Sequence, residues 1–319
     1  MEGTNNRRRN FALFAWAMLA YNIPVILWGA YVRASFSGDG CGAHWPFCNG
    51  QVIPQNMAAP MAIEFTHRVM TGLDSAAMIA LCIWAFVAFP RKHAVRVYSS
   101  FSLLFLVIEA LLGAGLVLLR YVANDQSVGR AWYLSAHLTN TMLLLGALTA
   151  TAWVAHNNAE RMRFPNAPRK LLLALAVTLA VSITGAIAAL GDTLFPASSL
   201  AAGVRQDFSN ATSPLLRLRA AHPVIAILGA AYLVWAATGV SRRRDAGRDR
   251  TAAVRVITVA LFQVIAGAVN LSLLAPIWMQ LLHLFMADLL WISIALLVLE
   301  TAKVKEHVPA FSFVRAGAA

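Results

Sequence analysis

Eight runs of about twenty mainly apolar residues recur along the chain, at 11–33, 64–89, 97–119, 131–154, 171–190, 220–240, 253–274 and 276–300. Each is long enough to cross about 30 Å of hydrocarbon at about 1.5 Å per residue. Lipid offers no water to backbone N–H and C=O groups, so such segments must satisfy them internally, as helices. Charged residues make up only 13% of the chain, about half the share of an ordinary soluble domain. The sequence therefore predicts an all-α polytopic membrane protein with eight transmembrane helices. The opening "RRRNFALF" reads as the flank of the first helix. The apolar run after it is longer than a signal-peptide core, and no small-residue cleavage pattern ends it.

The net charge of +12 is a statement about topology. With the N-terminus assigned to the cytoplasm, the clusters Arg7–Arg9, "PRKHAVR", "ERMRFPNAPRK", "SRRRDAGRDR" and the tail's Lys303 and Lys305 fall on one side. That side holds 19 of the 26 Lys and Arg residues. Such a bias is the positive-inside pattern, so both termini are expected to be cytoplasmic and the basic excess does not mark a nucleic-acid surface.

The chain also repeats itself. "ILWGAYVR" at the end of the first helix matches "SITGAIAA" at the end of the fifth, and "VIEALLGAGLVLL" in the third matches "LFQVIAGAVNLSLL" in the seventh. A unit of four helices returns to its starting side, so both copies enter the membrane in the same orientation. Two tandem four-helix bundles are expected, residues 1–160 and 161–319, joined through "HNNAERMRFPNAPRK".

Of the eight histidines, His93, His156 and His307 fall in basic loops or the tail and read as solvated; His44 lies in the first external loop. His67, His137, His222 and His283 are different: one on each even-numbered segment, all near the external end. Ionisable groups within a span are costly and are functional candidates by default. Two imidazoles facing each other in a bundle core form a bis-histidine site for haem iron, whereas zinc wants a third or fourth ligand. A haem protein that carries electrons across the membrane needs a haem in each leaflet; one histidine per helix at one depth suits two pockets side by side.

The halves differ around their histidines. Glu64 precedes His67 by one helical turn, and the matching position in the second half is Arg219. A guanidinium there suits a haem propionate, and a carboxylate beside a reacting porphyrin edge suits a base or a stabiliser of positive charge. Asp74, Glu109, Gln263 and Asp288 are further polar residues in the spans, suited to interhelical bonds or proton transfer. In "GDGCGAHWPFCNG", Cys41 and Cys48 lie on the oxidising side, where disulfides persist. Their bridge reads either as a staple shaping the loop or as a redox pair open to a thiol protein. Cys82 reads as a small apolar residue.

"GCGAHWPFCNG", "IEFTHR", three further histidines at helix ends and "LGDTLFP" together resemble the haem A synthases, the CtaA family, over nearly the whole chain. The resemblance implies an enzyme of the bacterial cytoplasmic membrane. It oxidises the C8 methyl of haem O to a formyl group through two hydroxylations and loss of water, giving haem A for terminal oxidases. His222 and His283 then become the ligands of a haem b cofactor, and His67 and His137 those of the substrate haem. Glu64 becomes the catalytic carboxylate, and Cys41–Cys48 the external disulfide. The implied partners are haem O, the protohaem farnesyltransferase that makes it, terminal oxidase assembly, an electron acceptor and membrane lipid. Some family members carry a second cysteine pair after the fifth helix. "GDTLFPASSLAAGVRQDFSNATSPLLRLRAA" has none, so that loop must be held otherwise, through Pro196, Pro214 and an amphipathic segment. Two other readings stay open: a non-catalytic dihaem cytochrome or quinol oxidoreductase, and a haem transporter, which would want broken helices and polar groups at mid-membrane.

Overall fold

The computed structural model describes residues 2–159, 167–209, 214–242 and 247–302. Arg161, Arg163, Arg243, Arg244, Lys303, Lys305 and His307, and the expected boundary at 160/161, lie outside them. The described chain is all-helical: α1 (Glu2–Ala34), α2 (Ala59–Ala88), α3 (Ala94–Leu118), α4 (Val128–Asn157), α5 (Arg169–Leu194), α6 (Leu200–Asp207), α7 (Pro214–Ser241), α8 (Gly247–Ser272) and α9 (Ile277–Ala302). Every one except α6 is long and apolar enough to cross a membrane, so the eight expected spans are present. Their ends carry ordinary local signals. Ser127 and Ser199 cap α4 and α6 by accepting from the N–H groups of Arg130 and Ala202, at 3.2 and 3.1 Å, and Pro60 opens α2 where no intrahelical N–H is needed.

Neighbours in sequence are neighbours in space. α1 packs on α2, α2 on α3 and α3 on α4, with α1 also against α4; α5 packs on α7, α7 on α8 and α8 on α9, with α5 also against α9. Contacts between these sets run through α4 with α9 and α5, and through α1 with α9. In the apolar stretch of α4, 78% is buried, against 17% in α3, so α4 is the central helix and α3 a peripheral one. The α4–α9 seam is pinned at its middle and near one end: Trp291 donates to the carbonyl of Met142 at 2.6 Å, and Trp153 to Glu300 at 3.0 Å.

His93 departs from expectation. It is buried, 3% exposed, and caps α3, its Nδ1 accepting from the N–H of Val95 at 3.2 Å. Two basic neighbours in sequence suggested a solvated loop, but a cap position turns the ring inward onto Phe89. His156 is exposed as expected, and His44, in the first loop, is exposed too.

Candidate functional site

The four histidines sit at matching depths. His67 is eight residues past the start of α2, His137 nine past that of α4, His222 eight past that of α7 and His283 six past that of α9. At about 1.5 Å per residue this is about 9–14 Å from each helix start. Within each half the two helices that carry the histidines pack against the same intervening helix, α2 and α4 against α3, and α7 and α9 against α8.

Each ring is seated on a glycine of the preceding span. A Cβ on Gly29 would stand 2.9 Å from Cε1 of His67, one on Gly185 3.1 Å from Cε1 of His222, and one on Gly267 3.0 Å from Cε1 of His283. On Gly113 it would lie 3.6 Å from Nε2 of His137. All four glycines are followed by alanine: Gly29-Ala30, Gly113-Ala114, Gly185-Ala186 and Gly267-Ala268. These Gly-Ala pairs are the common letters of the repeated stretches, and the sequence reading passed over what they face.

In each pair one ring is fixed through Nδ1. His137 Nδ1 is 2.8 Å from Glu109 of α3, and this carboxylate also accepts from Asn140 at 2.6 Å and from the hydroxyl of Thr141. A carboxylate only accepts, so His137 donates from Nδ1, and the neutral ring keeps its lone pair on Nε2. In the second half, Nδ1 of His222 is 2.9 Å from the hydroxyl of Thr184. When Thr184 donates its own proton to the carbonyl of Val181, at 2.8 Å, its oxygen accepts from His222 and Nε2 is again left free. The other two rings, His67 and His283, keep a buried Nδ1 without a hydrogen-bond partner among the described residues, and Gln263 lies at Nε2 of His283, at 3.4 Å.

Glu64 and Arg219 occupy the expected matching places, one turn before a histidine, and both are turned to the loop in front of them. Glu64, 4% exposed, accepts from the N–H of Cys41 at 2.8 Å and pairs with Arg68 at 2.5 Å. Arg68 in turn donates to the carbonyls of His44 and Phe47, at 2.7 and 2.8 Å. The loop backbone comes so close to α2 that a Cβ on Gly40 would sit 2.5 Å from the carbonyl of Pro60. Cys41 and Cys48 form the disulfide; they are 0% and 1% exposed, so the closed loop shows no sulfur to a thiol partner. Arg219, 9% exposed, donates from Nε to Asp207 at 2.9 Å, from Nη1 to the carbonyl of Phe195 at 3.0 Å and from Nη2 to Gln206 at 3.1 Å, with Asp192 at 3.5 Å. The cysteine-free loop is thus held by α6 and its ion pair to Arg219.

Among the other polar residues, Asp74 accepts from Asn22 of α1 at 3.0 Å. Asp288 is fully buried, with no hydrogen-bond partner on either oxygen among the described residues. Arg33 of α1, which the sequence reading did not single out, donates to Ala189 and Thr193 of α5 at 2.8 and 2.7 Å and to Gln280 of α9 at 3.1 Å. It ties the two sets of helices together on the histidine side. Cys82 is a free thiol, partly buried within α2.

A family model described as cytochrome oxidase assembly protein, COX15-CtaA, matches residues 12–295. A protein of Thermus thermophilus named protoheme IX farnesyltransferase is 42% identical over 281 residues, covering 88% of this chain and 46% of that protein. A heme A synthase of Exiguobacterium sibiricum is 32% identical over 179 residues, 56% of this chain and 59% of the relative. One of Halalkalibacterium halodurans is 38% identical over 109 residues, 34% and 37%. The chain spans about half the length of the first two of these relatives.

Proposed function

The chain belongs to the COX15-CtaA family of cytochrome oxidase assembly proteins, and from that premise we propose that it is a haem A synthase, oxidising the C8 methyl of haem O to a formyl group. The observation that carries the reading is the double pair of imidazoles at one depth, each ring seated on a glycine and one ring of each pair held with Nε2 free. Nε2 lone pairs on facing helices suit axial ligation of iron. The described residues gather no group of three or more His, Cys, Asp and Glu side chains placed for a metal ion, and a flat porphyrin held by two ligands asks for none.

In this reading the chain forms two tandem four-helix bundles, each with one pocket. His222 and His283 would hold haem b, which when bound supplies a one-electron iron couple. His67 and His137 hold the substrate haem O. Glu64 keeps its carboxylate at the rim of the first pocket, where negative charge steadies positive charge developing on the substrate's edge. The loop closed by Cys41–Cys48 covers that rim, and Arg219 closes the rim of the second pocket by gripping α6. The distribution of Lys and Arg supports both termini in the cytoplasm of a bacterium, with the pockets beneath the outer surface.

The Thermus relative's name raises prenyl transfer as a second activity. Transfer from a prenyl diphosphate calls on carboxylates that hold a divalent cation against the diphosphate. Among the described residues the buried carboxylates are instead spent singly on protein partners or left alone, and this chain spans only 46% of that relative, so the oxidative step is the reading adopted. The two reactions are consecutive in chemistry, since prenylated protohaem is haem O, and haem O synthase and terminal oxidase assembly are the proposed neighbours.

The test is pigment extraction from membranes that make haem O with and without this protein. Haem A should appear only with it. Two tightly held haems and no haem A would instead establish the dihaem cytochrome.

A further inference from the structure

The two anchored histidines differ in what anchors them: an anionic carboxylate for His137 and a neutral hydroxyl for His222. Resting on the reading that the first pocket holds a haem, we propose that Glu109 is a positioning residue. It fixes His137 with Nε2 toward the iron and makes that imidazole a stronger electron donor than a neutral partner would.

The physics is that of a ligand's outer partner. An imidazole whose Nδ1–H is shared with a carboxylate carries part of the negative charge and donates more strongly through Nε2, whereas a hydroxyl only orients the ring. Stronger donation favours the ferric over the ferrous iron and lowers the reduction potential. The geometry commits Glu109 to this use. It reaches His137 from a neighbouring helix, and its remaining contacts, Asn140 and Thr141, come from the same helix as His137, three and four residues on. All three donors therefore converge from one face of α4, which fixes the carboxylate as firmly as the ring. Position four before the Gly-Ala pair is Glu109 in α3 and Gln263 in α8. The second half thus has a neutral amide there, which touches His283 at Nε2 and leaves its Nδ1 bare.

The purified protein, loaded with haem O until both pockets are filled, is titrated spectroelectrochemically. Two one-electron waves are expected. Glu109→Gln should raise one wave and leave the other, and Thr184→Val should move the other, which assigns them. Affinity for haem in the first pocket should fall about 10–100-fold, the usual effect of removing an outer partner. A tenfold loss confined to the ferric form corresponds to a rise of about 59 mV. Thr141→Val keeps the charge and removes a competing donor, so it should shift the same wave downward, a sign that a merely structural role does not produce. If both waves stay in place in Glu109→Gln, or Thr141→Val shifts in the same direction as Glu109→Gln, the proposal is overturned. A wild-type protein that takes up only one haem overturns instead the reading on which it rests.

Discussion

The external loops of the two halves solve one problem with opposite charges. In the first, a carboxylate one turn before the histidine grips a disulfide-closed loop through the Cys41 N–H and Arg68. In the second, a guanidinium at the matching place grips a short helix through Asp207 and the carbonyl of Phe195. A covalent tie plus an acid in one half is replaced by an ion pair plus a base in the other. The charge at this position therefore follows from what the loop presents, and only then bears on what the pocket beneath it holds.

The strongest way to break the comparison is to empty one pocket. His222→Ala or His283→Ala should abolish the haem b that purifies with the protein, while haem O still binds to the other half. An absorption spectrum unchanged from wild type would end the assignment of cofactor and substrate to separate halves. Next comes the ion pair. Asp207→Ala leaves Arg219 buried with neutral partners and, among the described residues, one more distant carboxylate, Asp192 at 3.5 Å, and removing one partner of a buried pair costs about 3–5 kcal/mol. Thermal unfolding in detergent should show that loss, and replacing both residues, as Asp207→Leu with Arg219→Met, should recover much of it. If the single change is as mild as the double one, Arg219 is not the second loop's closure.

The disulfide should matter less. Cys41 and Cys48 are seven residues apart, and the loop-entropy estimate for so small a ring is about 2–3 kcal/mol. Cys41→Ser together with Cys48→Ser should lower stability by about that much and preserve haem A formation at a temperature where the fold persists. Complete loss of activity in a protein that still binds both haems would show that the sulfurs carry electrons after all, despite their burial.

The helices and the histidines were legible because lipid imposes a simple rule: twenty apolar residues and a costly imidazole are visible without knowing any contact. What Glu64 and Arg219 do was not legible. Their place beside a histidine is a fact of sequence, but their partners, Cys41 and Asp207, come from loops that no periodicity positions. Glu109 was noticed only as a polar residue in a span. It is 28 residues from His137 on another helix, and nothing short of helix packing says that the two meet at 2.8 Å. His93 was misjudged because a cap is a local geometry and basic neighbours conceal it. The α6 helix was expected only as an amphipathic stretch; its use, carrying Asp207 to Arg219, is a contact between two helices that no periodicity predicts. The glycines were in plain view as the repeat's common letters, yet a small residue in a membrane helix commonly serves helix–helix packing, and only the rings opposite show the other use.

Those glycines give the finest test, because the four seats are unequal. A methyl on Gly29 would meet the His67 ring at 2.9 Å, whereas on Gly113 it would lie 3.6 Å from His137, an ordinary contact. Among the described residues His67 has no partner on Nδ1 to resist displacement, and His137 is held by Glu109. Gly29→Ala should therefore push its ring aside, with a cost of about 1–3 kcal/mol for overpacking and weaker haem O binding in the first pocket. Gly113→Ala should change neither by a measurable amount. Both substitutions add the same methyl to the same pocket, so a general effect on helix packing would weaken haem binding equally in both. Haem titration of the two variants side by side separates the cases: equal losses would mean that the glycines serve the helices, and a loss confined to Gly29→Ala would mean that they serve the imidazoles.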